Sequence, residues 1–496
     1  MSTPPNLFNY HFYAVGQGLF SAGSLHRTRE NVSRFQWVYD CGTTSSQVLI
    51  DHAIAGLEAW SGPRRQLDLA VLSHFDDDHI SGICHLISKF PVKTLLLPYM
   101  SLAERLVIAF EEGVPAGDEL MSFFINPAEY LTNVEGANIE RVLFVLPSTG
   151  EGPPLSEGGP AINPQDGDGL DITFRPSKPD DYEELQSLQL GAGATSPAHT
   201  EIAFMGSGSA ITLRALWEFV PYNDDPVKPI PADFRQNVSR ARERLKNGPS
   251  REVALATLKD AYDKAFGDDS KERNFISLFL YAGPIYPTWQ ETSLWAASNG
   301  ASKIRAPFDG RCSILYTGDG YLDSQHKLDR MTRYLRPQRI NRAGVLQVMH
   351  HGASDNCFKG VAIEIAPSFS VFSSDPNHGR LKHPRADVLR DFYERCPLRV
   401  DKAQSATISG WMIAPFDTPD AIHELRDRDF FASLARTVST AVRSELAQHL
   451  ESNSGAKRKK TNGKKAAAKG RTAQKKRTEP LSRAVILRSA PPGNSD

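Results

Sequence analysis

Cysteine is scarce in this chain. Five thiols in 496 residues, Cys41, Cys84, Cys312, Cys357 and Cys396, are scattered, odd in number and never spaced C-x-x-C. That argues against a disulfide framework and against a thiolate zinc site, and for a reducing compartment. Long apolar runs are missing as well: no stretch of about 18 apolar residues occurs, so no membrane span is expected. The N-terminus, M-S-T-P-P-N-L-F-N-Y, lacks a basic segment followed by an apolar core, so no secretory leader is expected either. The setting that follows is cytoplasmic, with no membrane contact. An excess of one charge is also lacking, the formal net charge being −1. Any affinity for a polyanion must therefore come from how charge is distributed. With 40% hydrophobic and 23% charged residues, the composition is that of a soluble globular protein, long enough for one large domain with extensions or for two.

Against this plain background Ser73 to Gly82 reads S-H-F-D-D-D-H-I-S-G. His74, Asp76, Asp78 and His79 fall at alternate and adjoining positions of one short loop. Leu67 to Ser73 before it is a short apolar run that predicts a buried strand, and Ile83, Leu86, Ile87 and Phe90 after it predict a helix. A strand end is rigid, and a loop there can aim alternate side chains into one cavity. Imidazole and carboxylate at this density suit a divalent cation, because charged groups packed this closely repel each other unless something neutralises them, so a metal site is the expected use. The blander use is an acidic loop in which Asp78 caps a helix starting near Ile80. Asp77 is expected to face outward.

The same arrangement recurs along the chain. Phe8, Tyr10 and Phe12 alternate, and the glycines of Ala14 to Gly23 predict a strand broken by a tight turn. Arg34 to Thr43 predicts a strand ending at Asp40-Cys41-Gly42. Strands are expected at 92–97, at 141–147 and at 171–174, with helices around 101–111 and 116–134. Downstream, Asn274 to Tyr281, Ser313 to Gly320, Gly344 to Ser354 and Ser368 to Pro384 each predict a strand. The last three end in metal-type residues: Asp319 after Gly318, His350-His351, and a loop with His378 and His383. His378 reads as a solvent-facing loop histidine, and Cys41 and Cys84 as small buried hydrophobes.

Taken in order, these motifs resemble the metallo-β-lactamase superfamily. The loop is similar to H-x-H-x-D-H with Asp76 in place of the second His. The H-x-D-x-D-H form is closest to the nuclease domain of the ComEC-type competence proteins. That domain also shows V-G-Q-G, D-x-G, N-x-x-S, T-G-D, H-H-G-S, and a Ser about nine residues before H-P. This chain has Val15 to Gly18, Asp40 to Gly42, Asn274 with Ser277, Thr317 to Asp319, His350 to Ala353, and Ser374 with His383-Pro384. Ala14 and Ala353 depart from the pattern. The resemblance covers about residues 8–395 apart from an insertion. It implies an α/β fold, an αββα sandwich, over residues 1–422.

The resemblance also implies two divalent ions, Zn or Mn with Mg as a third candidate. His74 and Asp76 would hold one ion and Asp78 and His79 the other, with Asp319 bridging. His383 would complete the second set. One of His350 and His351 would complete the first, the other contacting a phosphate; His351 is the ligand chosen. The catalytic residues would be Asp78, Asp319, His350 and His351. Asp76 makes the site richer in oxygen, which favours harder ions such as Mn²⁺ or Mg²⁺, although affinity order still favours zinc. Two ions about 3.5–4 Å apart can hold a bridging hydroxide for in-line displacement at phosphorus. The expected activity is a nuclease cutting DNA or RNA phosphodiesters. The alternatives are hydrolysis of a small ester or nucleotide, and a catalytically weak nucleic-acid-binding component of a larger complex.

Three regions lie outside that pattern. Residues of about 175–270 read as an insertion with helices at 234–246 and 252–266, within which the apolar run Ile211 to Pro221 suits a strand. Residues 423–450 form an amphipathic pattern, with Phe430, Leu434, Val438, Val442, Leu446 and Leu450 at every fourth position. It suits a helix packed on the domain or one that binds a protein partner. Residues 451–496 form a basic tail. Gly455 to Arg477 contains 11 Lys or Arg, Lys457, Arg458, Lys459, Lys460, Lys464 and Lys465 among them, with no acid and no aromatic residue. Such a segment cannot build a core, so disorder is expected, and it suits nucleic acid through counterion release or serves as a solubiliser.

Overall fold

The structure, a computed structural model, describes residues 6–413 apart from 28–34, 63–64, 156–171, 175–199, 214–215, 225–229, 246–247, 267–276, 286–290, 299–303, 306–310 and 380. The expectations for 423–450, for the basic tail and for Asn274 therefore lie outside the described residues.

Two mixed sheets face each other. The first runs in spatial order β13 (Ile304–Arg305), β12 (Glu291–Ser298), β18 (Ala406–Ile413), β1 (Asn6–Phe12), β2 (Phe20–Arg27), β3 (Phe35–Cys41), β4 (Leu69–Val71), β5 (Val92–Pro98), β6 (Ile139–Val145), β8 (Glu201–Met205). The second runs β17 (Pro397–Val400), β16 (Phe369–Ser373), β15 (Ala343–Gln347), β14 (Ser313–Tyr316), β11 (Leu278–Pro284), β10 (Trp217–Asn223), β9 (Ile211–Leu213), β7 (Ile172–Thr173). Phe8, Tyr10 and Phe12 alternate into the space between the sheets, where they join Trp37, Tyr39, Trp217, Leu280 and Tyr316 in one buried core. A second apolar cluster lies between the first sheet and the helices Gln47–Ser61, Ile83–Lys89, Leu102–Glu111 and Leu120–Ile125. A third joins the second sheet to Gln325–Leu335, Val361–Ile365 and Ala386–Asp391. Helix, sheet, sheet, helix is the αββα sandwich expected from the sequence.

Local chemistry explains several boundaries. Ser101 and Glu104 form a reciprocal capping box that starts Leu102–Glu111. The helical region expected at 116–134 is two helices: Asn126 ends one, caps the next by accepting from the Glu129 N–H, and is followed by Pro127. The helix after the acidic loop starts at Asp77, with Asp76 at its N-cap position, so Asp78 lies in the first turn and is not the cap. The insertion is narrower than expected. β8, β9 and β10 fall inside 175–270 and are sheet strands. The helical part is Ala232–Leu245 with Gly248–Phe266, whose Phe234, Val238, Leu255, Leu258 and Tyr262 join the outer cluster on the first sheet.

What positions the site is strand direction. β3, β4, β5, β6 and β8 are mutually parallel, as are β14, β15, β16 and β17. The ends of β3, β4, β14, β15 and β16 carry Asp40, His74, Asp319, His350-His351 and Ser373. Carboxyl ends of parallel strands gather loops at one edge of a sheet, and here both sheets contribute. Among the described residues no helix is long and apolar enough to cross a membrane.

Candidate metal centre

One ligand atom each from His74, Asp78, His79 and Asp319 lies within 4.8 Å of the others. Around the Asp319 carboxylate the neighbours divide by oxygen. Oδ1 stands 3.0 Å from His79 Nε2 and 3.5 Å from His351 Nε2, and His351 Nε2 is in turn 3.2 Å from Asp78 Oδ2. Oδ2 stands 3.3 Å from His350 Nε2 and 3.8 Å from His74 Nε2, which is 3.7 Å from Asp76 Oδ2. His351 therefore sits with Asp78 and His79, where the sequence reading put His383, and His350 sits with His74 and Asp76. His383 is one ring further out, its centroid 5.6 Å from that of His350. Cys41 is buried and Cys84 half-buried, and neither belongs to the cluster.

The groups behind the imidazoles decide which nitrogen faces inward. His351 Nδ1 lies against the Ser373 carbonyl, which can only accept, so Nδ1 carries the proton and Nε2 presents a lone pair. His79 Nδ1 donates to Asp40 Oδ2 at 2.7 Å, with the same result. Ser73 Oγ donates its one proton to Asp40 Oδ2 at 2.7 Å and so accepts from His74 Nδ1 at 2.8 Å, again baring Nε2. The Ser73 N–H donates to the other Asp40 oxygen at 2.6 Å. The inward nitrogens thus face carboxylate oxygens, an arrangement that repels unless a proton or a metal cation lies between.

The residues present fit divalent metal. His74 Nε2, His79 Nε2, Asp76 Oδ1 and Asp319 Oδ1 are buried with no hydrogen-bond partner, which a native structure rarely tolerates without an ion or water. Ligand atoms about 2.1 Å from one tetrahedral ion are about 3.4 Å apart, close to the spacings around Asp319 Oδ1. Carboxylate and Ser groups behind the imidazoles are the usual support of a histidine-ligated metal.

Electrostatics agree. Burial lowers His79, but Asp319, Asp40 and Asp78 outweigh it and hold this imidazole well above its ordinary value. His351 is raised for the same reason: burial opposes, and Asp319 and Asp78 prevail. In the metal-free protein a proton thus stands where an ion would. Burial and the neighbouring His79 charge bring His74 down to about 3. Burial, then Asp78, Glu112 and Asp319, push Asp76 well above the carboxylate range. His383 is lowered to about 4, by burial and then by His350 and His351.

The backbone is bent to make this possible. Asp40, His350 and His351 have φ of 57°, 44° and 57°, a left-handed conformation that costs non-glycine residues about 1–3 kcal/mol each. Gly318 has φ 52°, and a Cβ there would lie 2.4 Å from Ser277 Oγ, so only glycine lets the turn carry Asp319 inward. Gln347 clamps that turn, its Oε1 accepting from the Thr317 and Gly318 N–H groups at 2.8 and 2.7 Å. Ser277 Oγ accepts from the Asp319 N–H at 3.1 Å. Sequence reasoning singles out D-x-G and Ser277 as motif members without roles, and it misses Gln347 and Ser373. The signal for Asp40 was an acid at a strand end; nothing local marks Gln347.

An α/β sandwich with a His/Asp cluster at the parallel-strand ends is the class that fold and site define. The family model of the metallo-β-lactamase superfamily matches residues 37–98, the span from β3 through the acidic loop to β5. No curated protein matches the chain. Among solved structures it is similar to the metallo-β-lactamase fold protein YhfI from Bacillus subtilis, with 12% identity and a TM-score of 0.31 over 81% of this chain and 98% of that one.

Proposed function

We propose that this chain is a metal-dependent hydrolase whose substrate is a nucleic-acid phosphodiester. The observation that carries the metal reading is the set of inward Nε2 lone pairs opposed to carboxylate oxygens, each fixed by an acceptor behind the ring. Asp78, His79 and His351 would hold one ion and His74, Asp76 and His350 a second, with Asp319 between the two sets. When bound, the pair would supply Lewis acidity and charge neutralisation at a scissile group. The chain's own residues then do the rest. Asp40 and Ser73 keep the imidazoles in one tautomer. Asp319, tied by Ser277 and the Gln347-clamped turn, keeps the two ligand sets in register. His383, neutral at ordinary pH and with its buried Nδ1 unpartnered, sits at the outer edge beside His350, where it can hydrogen-bond a substrate oxygen.

Three features support phosphodiester over lactam or thioester. Asp76 adds a hard oxygen donor, which suits the ions that commonly serve phosphoryl chemistry. The motif series resembles the ComEC-type nuclease domain. The 455–477 segment supplies 11 cationic side chains suited to a polyanion. Five free thiols and no cysteine pair support a cytoplasmic setting.

The test uses purified full-length protein reconstituted with Mn²⁺, Zn²⁺ or Mg²⁺ and offered plasmid, linear DNA, RNA, a small phosphodiester and a thioester. Cleavage of a nucleic acid, lost in Asp319→Ala, is the expected result. Turnover of the thioester alone overturns the substrate, and failure to retain any ion overturns the class. Removing residues 455–496 should flatten the salt dependence of nucleic-acid affinity; an unchanged slope makes the tail a solubiliser.

A further inference from the structure

Of the four inward-facing imidazoles, His350 is held least by packing. Its side chain is 33% exposed, against 0–1% for His74, His79 and His351. Its left-handed backbone, with the His350 N–H donating to the Gly318 carbonyl at 3.0 Å, places the residue but leaves the ring free to turn. Something else must aim it. Asn356 ends the single turn Ser354–Asn356 and is 1% exposed. Its Nδ2 donates to the carbonyl oxygens of Asp319 at 2.9 Å and Gly320 at 3.3 Å. Carbonyl oxygens only accept, so the amide cannot be turned round, and Oδ1 must point the other way. There it meets His350 Nδ1 at 2.8 Å. An acceptor at that distance requires the proton on Nδ1. Nε2 is left bare, 3.3 Å from Asp319 Oδ2. The backbone strengthens the link, since the Leu322 N–H donates to the Asn356 carbonyl at 2.9 Å.

We propose that Asn356 is a positioning residue for metal binding. It fixes the tautomer and aim of His350 and ties that ring to the turn that carries Asp319, so both ligands of one ion move as a unit. The inference rests on the metal reading above but not on the nuclease reading.

The test is a mutant cycle on the full chain, read by competition for Zn²⁺ with a chromophoric chelator. Asn356→Ala should weaken the ion shared by His350 and Asp319 by about 10–100-fold, the usual cost of removing such a support. In a His350→Ala background the same substitution should change affinity little, because a residue that acts through His350 has nothing left to act on. Asn356→Asp keeps an acceptor for Nδ1–H but sets its second oxygen against the Asp319 and Gly320 carbonyls, so it should recover only part of the loss. An equal loss in both backgrounds would make Asn356 a brace of the Asp319 turn alone and overturn the proposal; so would wild-type affinity in Asn356→Ala. Should the alanine variant not fold, imidazole ¹⁵N spectra of the zinc-loaded wild type decide the matter. A protonated Nδ1 on His350 is expected, and a protonated Nε2 overturns the proposal. Wild-type protein that takes up no zinc would instead sink the metal reading.

Discussion

The space between the two sheets and the rim where their parallel strands end are built from the same strands, yet they treat polar atoms in opposite ways. Between the sheets each buried tyrosine is answered, and Trp217 Nε1 is the exception among the described polar atoms of that core. Tyr10 donates to the Cys312 carbonyl at 2.7 Å, Tyr39 to the Leu278 carbonyl at 2.7 Å, and the Tyr316 hydroxyl accepts from Ser21 Oγ and Trp37 Nε1, each at 3.4 Å. One residue beyond Tyr39, at Asp40, the pattern changes. There the polar groups are satisfied only on their outer sides, and His74 Nε2, His79 Nε2 and Asp319 Oδ1 are left without hydrogen bonds. A satisfied interior stabilises the fold by itself. A rim of half-satisfied groups is completed by a ligand, so its cost is recovered on binding.

The largest way to break this contrast is to remove its centre. Asp319→Ala should abolish retention of both ions in elemental analysis and reduce hydrolysis by about a thousandfold or more, since both ligand sets lose their shared carboxylate. The urea midpoint of the metal-free protein should fall far less than the loss of activity suggests, because Asp319 lies outside the inter-sheet core. Acidification comes next. His79 and His351 are held above their ordinary values, so both hold a proton more tightly than a free imidazole in the metal-free protein. An incoming ion must displace those protons. Affinity should rise with pH, by up to about tenfold per pH unit for each proton displaced, and flatten above the raised values. Calorimetry in buffers of different ionisation enthalpy measures the protons released. A release of zero would mean that the ions bind elsewhere.

The sequence made the rim more legible than the sandwich around it. His74, Asp76, Asp78 and His79 stand within one loop, and Asp319 and His350-His351 follow short apolar runs, so a period-of-two pattern ending in metal-type residues exposed them. Which histidine joins which set was not legible. His351 and His383 are 32 residues apart in the chain, and only the course of the loop after β16 places one inside and the other outside. β12, β17 and β18 went unread because nothing local marks them. β18 pairs with β1, Asn6 against Met412, across nearly the whole described chain. The strands in 201–223 read as part of an insertion because helical periodicity at 232–266 dominates that stretch, yet the apolar run Ile211 to Pro221 does predict the strands Ile211–Leu213 and Trp217–Asn223.

A smaller effect sharpens the boundary itself. Asp40→Asn keeps the shape of the side chain but replaces one accepting oxygen by a donor. Asp40 accepts from Ser73 N, Ser73 Oγ and His79 Nδ1, so at least one of these would face an N–H group. His79 can relieve the clash by moving its proton to Nε2, which withdraws a ligand. Metal affinity should fall by about 10–100-fold in chelator competition. An unchanged affinity would show that the tautomer of His79 is set by the ion rather than by Asp40.

The smallest expected effect on the metal is the strictest test of the contrast. Tyr39→Phe removes one hydroxyl from the inter-sheet space and leaves the Leu278 carbonyl without its partner. Such a loss costs about 1–2 kcal/mol of stability. Tyr10→Phe, which removes the hydrogen bond to the Cys312 carbonyl, should cost a similar amount by urea denaturation. The two tyrosines differ in their distance from the rim. Tyr39 adjoins Asp40 in the chain, and the Leu278 N–H donates to the Ser73 carbonyl at 2.7 Å. If interior and rim are independent, both variants keep wild-type zinc affinity and differ from the parent only in stability. If Tyr39→Phe alone weakens zinc binding, strain passes from Leu278 to Ser73 and on to the imidazoles that Ser73 supports. The hydroxyls between the sheets would then be part of what holds the metal ligands in place, and the division between a self-sufficient interior and a ligand-dependent rim would fall one residue deeper than Asp40.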